Sequence, residues 1–266
     1  MNLRKQLLTN NPCYIAARGL IPLGVMVHST GANNPRLSRY VQPDDGLLGD
    51  NPNNNDWNQR TLNVCVHAFI GKLADGTIAT YQTLPWTMRG WHSGKGLVGS
   101  ANNTHISFEI CEGNLDDADY FKSVYQEAVE FTAYLCKLYG FNPTLPGTVI
   151  CHSEGHSKGI ASGHSDVMHW FPKHGKSMDT FRRDVANLLK GEKDMTREQT
   201  IEIAQEVVKD SNVMYAKFMD LPDWGKPTVE KLMRNGAIKG PDINMSYDLL
   251  RTLVINDRMG LYNKGG

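Results

Sequence analysis

The sequence predicts an α/β protein, a central mixed sheet flanked by helices, followed by a small helical C-terminal domain. Three observations point there. Short apolar runs are interleaved with helical periodicity over the first two-thirds of the chain. All nine histidines lie between positions 28 and 174, so the chemistry is concentrated in that part. The remainder, 197–266, reads as helices alone. The expected division is a histidine-bearing domain at 1–190, a polar linker at 191–196 and the helical module at 197–266.

The elements follow in order. "LGVMVHST" is a buried strand with His28 at its C-terminal end. "LNVCVHAFIG" and "LADGTIATYQ" form a hairpin around an Asp75-Gly76 turn. "HISFEIC" is another strand. Phe121, Val124, Tyr125, Ala128, Phe131, Leu135 and Cys136 recur at helical steps, and Gly140 stops that helix. "GTVICHSE" is a last strand that delivers His152, and "SMDTFRRDVANLLK" a closing helix. Residues 41–59, full of Asp, Asn, Gly and Pro, form a long loop of the kind that serves binding. In the tail, helices are expected over "REQTIEIAQEVVKD", after the Pro-marked turn of "DLPDWGKP" with Gly236 as a stop, and after a Ser246 cap.

Charge excludes one class of partner. Lys+Arg and Asp+Glu each total 28, and both parts of the chain are balanced, which argues against nucleic-acid binding and against a metal-dependent nuclease. No apolar run reaches the length of a membrane span, so no membrane partner is expected. The start lacks the apolar region of a signal peptide. Five cysteines without a CxxC pair make a disulfide framework unexpected; they read as small buried hydrophobes in a chain suited to a reducing cytoplasm.

Five histidines fall within residues 151–175. His28 and His152 each follow an apolar strand and precede a serine. Two strand-end imidazoles in one sheet can meet at its C-terminal edge, where α/β proteins place their sites. Beside a histidine cluster, that favours metal ligation. Glu109 sits mid-strand in "HISFEIC", with Ser107 and Cys111 on its face and Ile106, Phe108 and Ile110 on the other. A carboxylate there needs a partner or a task.

"VMVHST", "VHAFIGKLADGTIATYQ", "WHSGKG", "NNTHISFEIC" and "VICHSEG", in that order, resemble the type-2 N-acetylmuramoyl-L-alanine amidases, the zinc amidases of bacterial cell-wall turnover and phage endolysins, which are related to peptidoglycan recognition proteins. The resemblance covers about residues 10–190 and implies a zinc ion held by His28, His152 and a third ligand. The family's K-x-D pair falls on His164-Ser165-Asp166, making Asp166 the third ligand and His164 the counterpart of a catalytic lysine. In a rival register "HSDV" makes His164 a ligand with His174; His169 is a further candidate. The resemblance makes Glu109 the catalytic carboxylate and sets His67 and His92 at a substrate-binding wall. "DWGKPTVEKLMRNGAIKG…NMSYDLLRTLVINDRMGLY" resembles S-layer-homology modules, which bind cell-wall polymers; one copy can require a dimer. The implied protein is an endolysin, made in the cytoplasm and acting on peptidoglycan after release. The alternative is a peptidoglycan-recognition fold that binds without cleaving.

Overall fold

The computed structural model describes residues 1–193, 214–240 and 242–262. The chain divides into two units, Met1–Asp194 and Met195–Gly266.

In the first unit, six strands form one mixed sheet: β1 (Leu3–Lys5), β2 (Gly24–Ser29), β3 (Ala68–Lys72), β4 (Ile78–Gln82), β5 (His105–Ile110) and β6 (Val149–Cys151). Their order across it is β1-β4-β3-β5-β2-β6. β3 and β4 are the expected antiparallel hairpin, with Gly76 at φ 89° in its turn, a conformation that costs glycine little. The other pairings are parallel.

Alternation decides what each face carries. Val25, Val27, Ile106, Phe108 and Ile110 point into a core with Phe121, Val124, Ala128, Phe131 and Leu135 of α2 (Ala118–Tyr139). Asp117 caps α2 by accepting from the Tyr120 amide at 3.0 Å, and Gly140 ends it at φ 69°. The helix α4 (Met178–Lys193) packs beside α2. It continues past Lys190 into the expected linker, the rest of which lies outside the described residues. The other face carries His28 and Glu109, with a second core of Phe69, Tyr81, Cys111, Tyr40 and Leu48 beside them. The loop 41–59 folds on itself: Asp44 and Asp45 accept from the Gly46, Leu48 and Gly49 amides, and Tyr81 donates to Asp45 at 2.7 Å.

Two readings need correction here. Cys13, in the short helix α1 (Pro12–Ala16), is disulfide-bonded to Cys65, whereas Cys111, Cys136 and Cys151 are free and buried. The partners are 52 residues apart, and an odd cysteine count hides such a pair. Asn11 brings them together, since its side-chain amide donates to the Trp57 and Val64 carbonyls beside Cys65. The disulfide removes the ground for reading the chain as one suited to a reducing compartment. The strand read over "GTVICHSE" also stops at Cys151, and His152 opens a short helix, α3 (His152–Ser157).

The second unit holds a feature that helical periodicity did not signal. β7 (Met214–Lys217) and β8 (Asp242–Ser246) form an antiparallel ribbon. With them pack α5 (Lys226–Arg234) and α6 (Tyr247–Arg258), around Leu221, Val229, Met245, Leu250 and Val254. Ser246 caps α6 by accepting from the Leu249 amide, and Gly236 follows α5 at φ 75°. Asp257 joins the helices through Thr228 and Lys231 at 2.8 and 2.7 Å. The helix expected over 197–210 lies outside the described residues. Among the described residues no helix is long and apolar enough to cross a membrane.

Candidate metal centre and cleft

The register of the parallel strands builds the site. Val27 of β2 is level with Cys151 of β6, so His28 and His152, each one residue further on, emerge side by side at the C-terminal edge. Asp166 joins them from a one-turn 3-10 segment, Asp166–His169, anchored by buried Val167 and Trp170. Its backbone is held at φ 43°, a left-handed conformation uncommon for a residue with a side chain and characteristic of functional sites.

The three side chains converge. Asp166 Oδ2 lies 3.1 Å from His152 Nδ1 and 3.5 Å from His28 Nδ1, and the two Nδ1 atoms are 3.3 Å apart. Asp166 Oδ2 is buried, yet it lines up with no hydrogen-bond donor. Burial favours the neutral carboxyl, but the two imidazoles outweigh that and hold Asp166 well below the usual carboxylate range. Burial pushes His28 down, against the opposing pull of Asp166. A neutral imidazole and an ionised carboxylate are the forms that bind a cation. Two imidazole nitrogens and a carboxylate oxygen within 4.8 Å of one another are a donor set that fits zinc.

Each imidazole has its far nitrogen held. His28 Nε2 is 3.0 Å from His92 Nδ1, and His152 Nε2 is 3.2 Å from Ser162 Oγ. Such partners turn the near nitrogens toward the centre. The His92 loop is itself fixed, because Asn102 Oδ1 accepts from the His92 and Ser93 amides at 2.7 and 3.0 Å. His92 is held neutral, first by burial and then by the surrounding imidazoles.

Glu109 stands beside this centre. It is level with His28 on the neighbouring strand, and its buried Oε2 has no hydrogen-bond partner. Burial, then the Asp166 and Glu112 carboxylates, push its pKa well up. These residues line one open cleft of about 470 Å³, together with His164, Trp57, Trp91 and His169. His164 is exposed, its ring 4.7 Å from that of His152.

Of the residues singled out in sequence, His28, His92, Glu109, His152, His164 and Asp166 therefore share one cleft. His67 does not. It lies behind the wall, fully buried, with Nε2 donating to the Met88 carbonyl at 2.8 Å and Nδ1 accepting from the Ser107 amide at 3.0 Å. With both nitrogens used, it ties β3 to β5 and has nothing to offer a substrate. His174 is also elsewhere: it stacks on Phe121 and donates to the Leu115 carbonyl. The rival register through His174 thus loses its second ligand. His169 is paired with buried Glu112 at 3.1 Å. Sequence reasoning missed Glu112 and Ser162; for Glu112 the signal was there, a second acid three residues after Glu109.

Two strand-end histidines, an aspartate and a half-buried glutamate on a mixed sheet, all in one open cleft, are the donor set and the acid that a metal-dependent hydrolase requires. The chain belongs to the N-acetylmuramoyl-L-alanine amidase family (Amidase_2), whose sequence profile matches residues 18–173. No curated protein sequence matches it. Among solved structures it is similar to the catalytic domain of XlyA, at 20% identity over 70% of this chain and 99% of that one, TM-score 0.48. It is also similar to a mutant endolysin from Bacillus subtilis, at 20% identity over 70% and 99%, TM-score 0.47. A third is the Staphylococcus aureus hydrolase AmiA in complex with its ligand, at 18% identity over 71% and 82%, TM-score 0.49.

Proposed function

We propose that this chain hydrolyses the amide bond between N-acetylmuramic acid and L-alanine in bacterial peptidoglycan, with one zinc ion held by His28, His152 and Asp166. The observation that carries the reading is the convergence of those three ligand atoms beside the unpartnered carboxylate of Glu109. Zinc bound there would supply Lewis acidity to the scissile carbonyl and lower the pKa of the attacking water. Glu109 takes the proton from that water and passes one to the leaving nitrogen. His164, exposed at the rim, donates to the developing oxyanion. His92 holds His28 in place from the cleft wall, and Trp57 and Trp91 offer flat faces to sugar or peptide.

In this reading the protein is a phage or prophage endolysin that reaches the wall after release. Its C-terminal unit is a wall-polymer anchor of the S-layer-homology kind, working alone or as a dimer. An anchor raises the effective concentration of the catalytic unit at the polymer. The test is release of L-alanine-terminated peptides from purified sacculi by the zinc-loaded protein, with Glu109→Gln as control. Binding of sacculi without release of such peptides would favour the non-catalytic alternative.

A further inference from the structure

A second pocket adjoins the cleft. It measures about 350 Å³ and is lined by Cys13 and Ala16 of α1 and by Arg18, Asn63, Arg89 and Trp91. The backbone fixes its two arginines side by side: the Arg89 amide donates to the Arg18 carbonyl at 2.7 Å, and Gly19 and Met88 form an antiparallel bridge. The Cys13–Cys65 disulfide holds α1 against the segment that carries Asn63 and Val64. Arg89 is partly buried, with its guanidinium 5.2 Å over the Trp91 ring and its Nε donating to Asn103 at 2.6 Å. Among the described residues, neither arginine forms an ion pair with an acid. Two cations thus face one pocket without a counter-charge. The pocket is continuous in sequence and surface with the catalytic cleft. Trp91, 40% exposed, lines both, and Asn63 of the pocket precedes Val64 of the cleft.

We propose that this pocket is an anion subsite that takes a carboxylate of the peptide stem, with Arg18 and Arg89 as its ligands and Trp91 as the ledge over which the stem leaves the cleft. This rests on the amidase reading, which puts the first stem residue at the cleft. Residues beyond it carry free carboxylates or their amides. A guanidinium fork accepts the carboxylate with charge-assisted hydrogen bonds and gains much less from the amide. The subsite would therefore set which stem chemistry the protein prefers.

Product peptides test this without turnover. The full-length, zinc-loaded protein is titrated calorimetrically with L-alanyl-γ-D-glutamyl-L-lysine and with its glutamyl α-amide. The acid is expected to bind about tenfold tighter, the scale of one partly exposed charge-assisted contact. Arg18→Gln and Arg89→Gln should each erase that preference, and Arg18→Lys should keep part of it. Arg18 is exposed, so its replacement leaves the fold intact even if Arg89→Gln disturbs Asn103. Equal binding of acid and amide, no detectable binding of either, or a preference that survives both glutamines would overturn the subsite. A tenfold preference in a protein that hydrolyses no muramyl peptide would uphold the subsite and fault the amidase reading instead.

Discussion

His28 and Glu109 are register partners on adjacent parallel strands, so one pairing sets the His28 imidazole and a carboxylate with a buried, unpartnered Oε2 on the same face of the sheet. The strands carry both residues on a rigid frame, and neither depends on a loop for its position. Glu109→Gln keeps the size and removes the base. Turnover is expected to fall by roughly two to four decades with metal content unchanged. Wild-type turnover in that variant would reduce Glu109 to a structural role.

His92 acts through His28. Its Nδ1 lies 3.0 Å from His28 Nε2, and replacing it with Phe frees that ring to rotate. Zinc affinity should drop about 10–100-fold, the scale of losing a ligand's outer partner. Competition with a chromophoric chelator measures this without reference to activity. Unchanged affinity would show that the cleft wall alone orients His28.

The separation of Asp166 from His164 is a prediction about two neighbours. Asp166→Ala should lose both metal and activity. His164→Ala should keep the metal and lose activity, because its ring sits at the exposed rim and not among the converging atoms. The opposite pattern would restore His164 as a ligand.

Buried His67 makes a pH prediction. Burial lowers its pKa to about 4 from an ordinary 6.5, against the pull of its hydrogen bonds to Met88 and Ser107. The folded chain therefore binds fewer protons than the unfolded chain between those values. Stability from this group is present above pH 6.5 and is lost as pH falls toward 4, by at most about 1.4 kcal/mol per unit. Urea unfolding across that window should show a slope that flattens in His67→Gln, apart from that variant's general loss of stability. An unchanged slope would contradict the assignment of a neutral, buried ring.

Much of this was legible in sequence. The strand-end positions of His28 and His152, the hairpin turn and the two-faced pattern around Glu109 are local signals, and the register of β2 with β5 and β6 turns them into a site. What was not legible depends on distance. The Cys13–Cys65 pair spans 52 residues and is set by a loop, not by periodicity. The β7–β8 ribbon joins two short segments separated by α5, whose helical pattern dominates the local reading. His67 resembled a cleft residue by its motif, and alternation does put it on the sheet face of Glu109, but its hydrogen bonds to the Met88 carbonyl and the Ser107 amide hold the ring buried behind the cleft wall.

The disulfide carries a stability prediction of its own. Closing a 52-residue separation limits the unfolded chain, and Cys13→Ser with Cys65→Ser should cost about 2–4 kcal/mol. Denaturant unfolding of the double variant, compared with the oxidised protein, measures the difference. Equal midpoints would show that Asn11 and its carbonyl contacts suffice to hold α1 in place.

In the proposed mechanism, hydrolysis depends on one zinc centre formed by His28, His152 and Asp166. The most direct measurement is elemental analysis of protein purified without added metal, paired with peptide release from sacculi before and after chelation. The expected result is about one zinc per chain, lost together with activity on chelation, restored by zinc, and absent from His152→Ala. A metal-free protein that releases peptides at the full rate would contradict it.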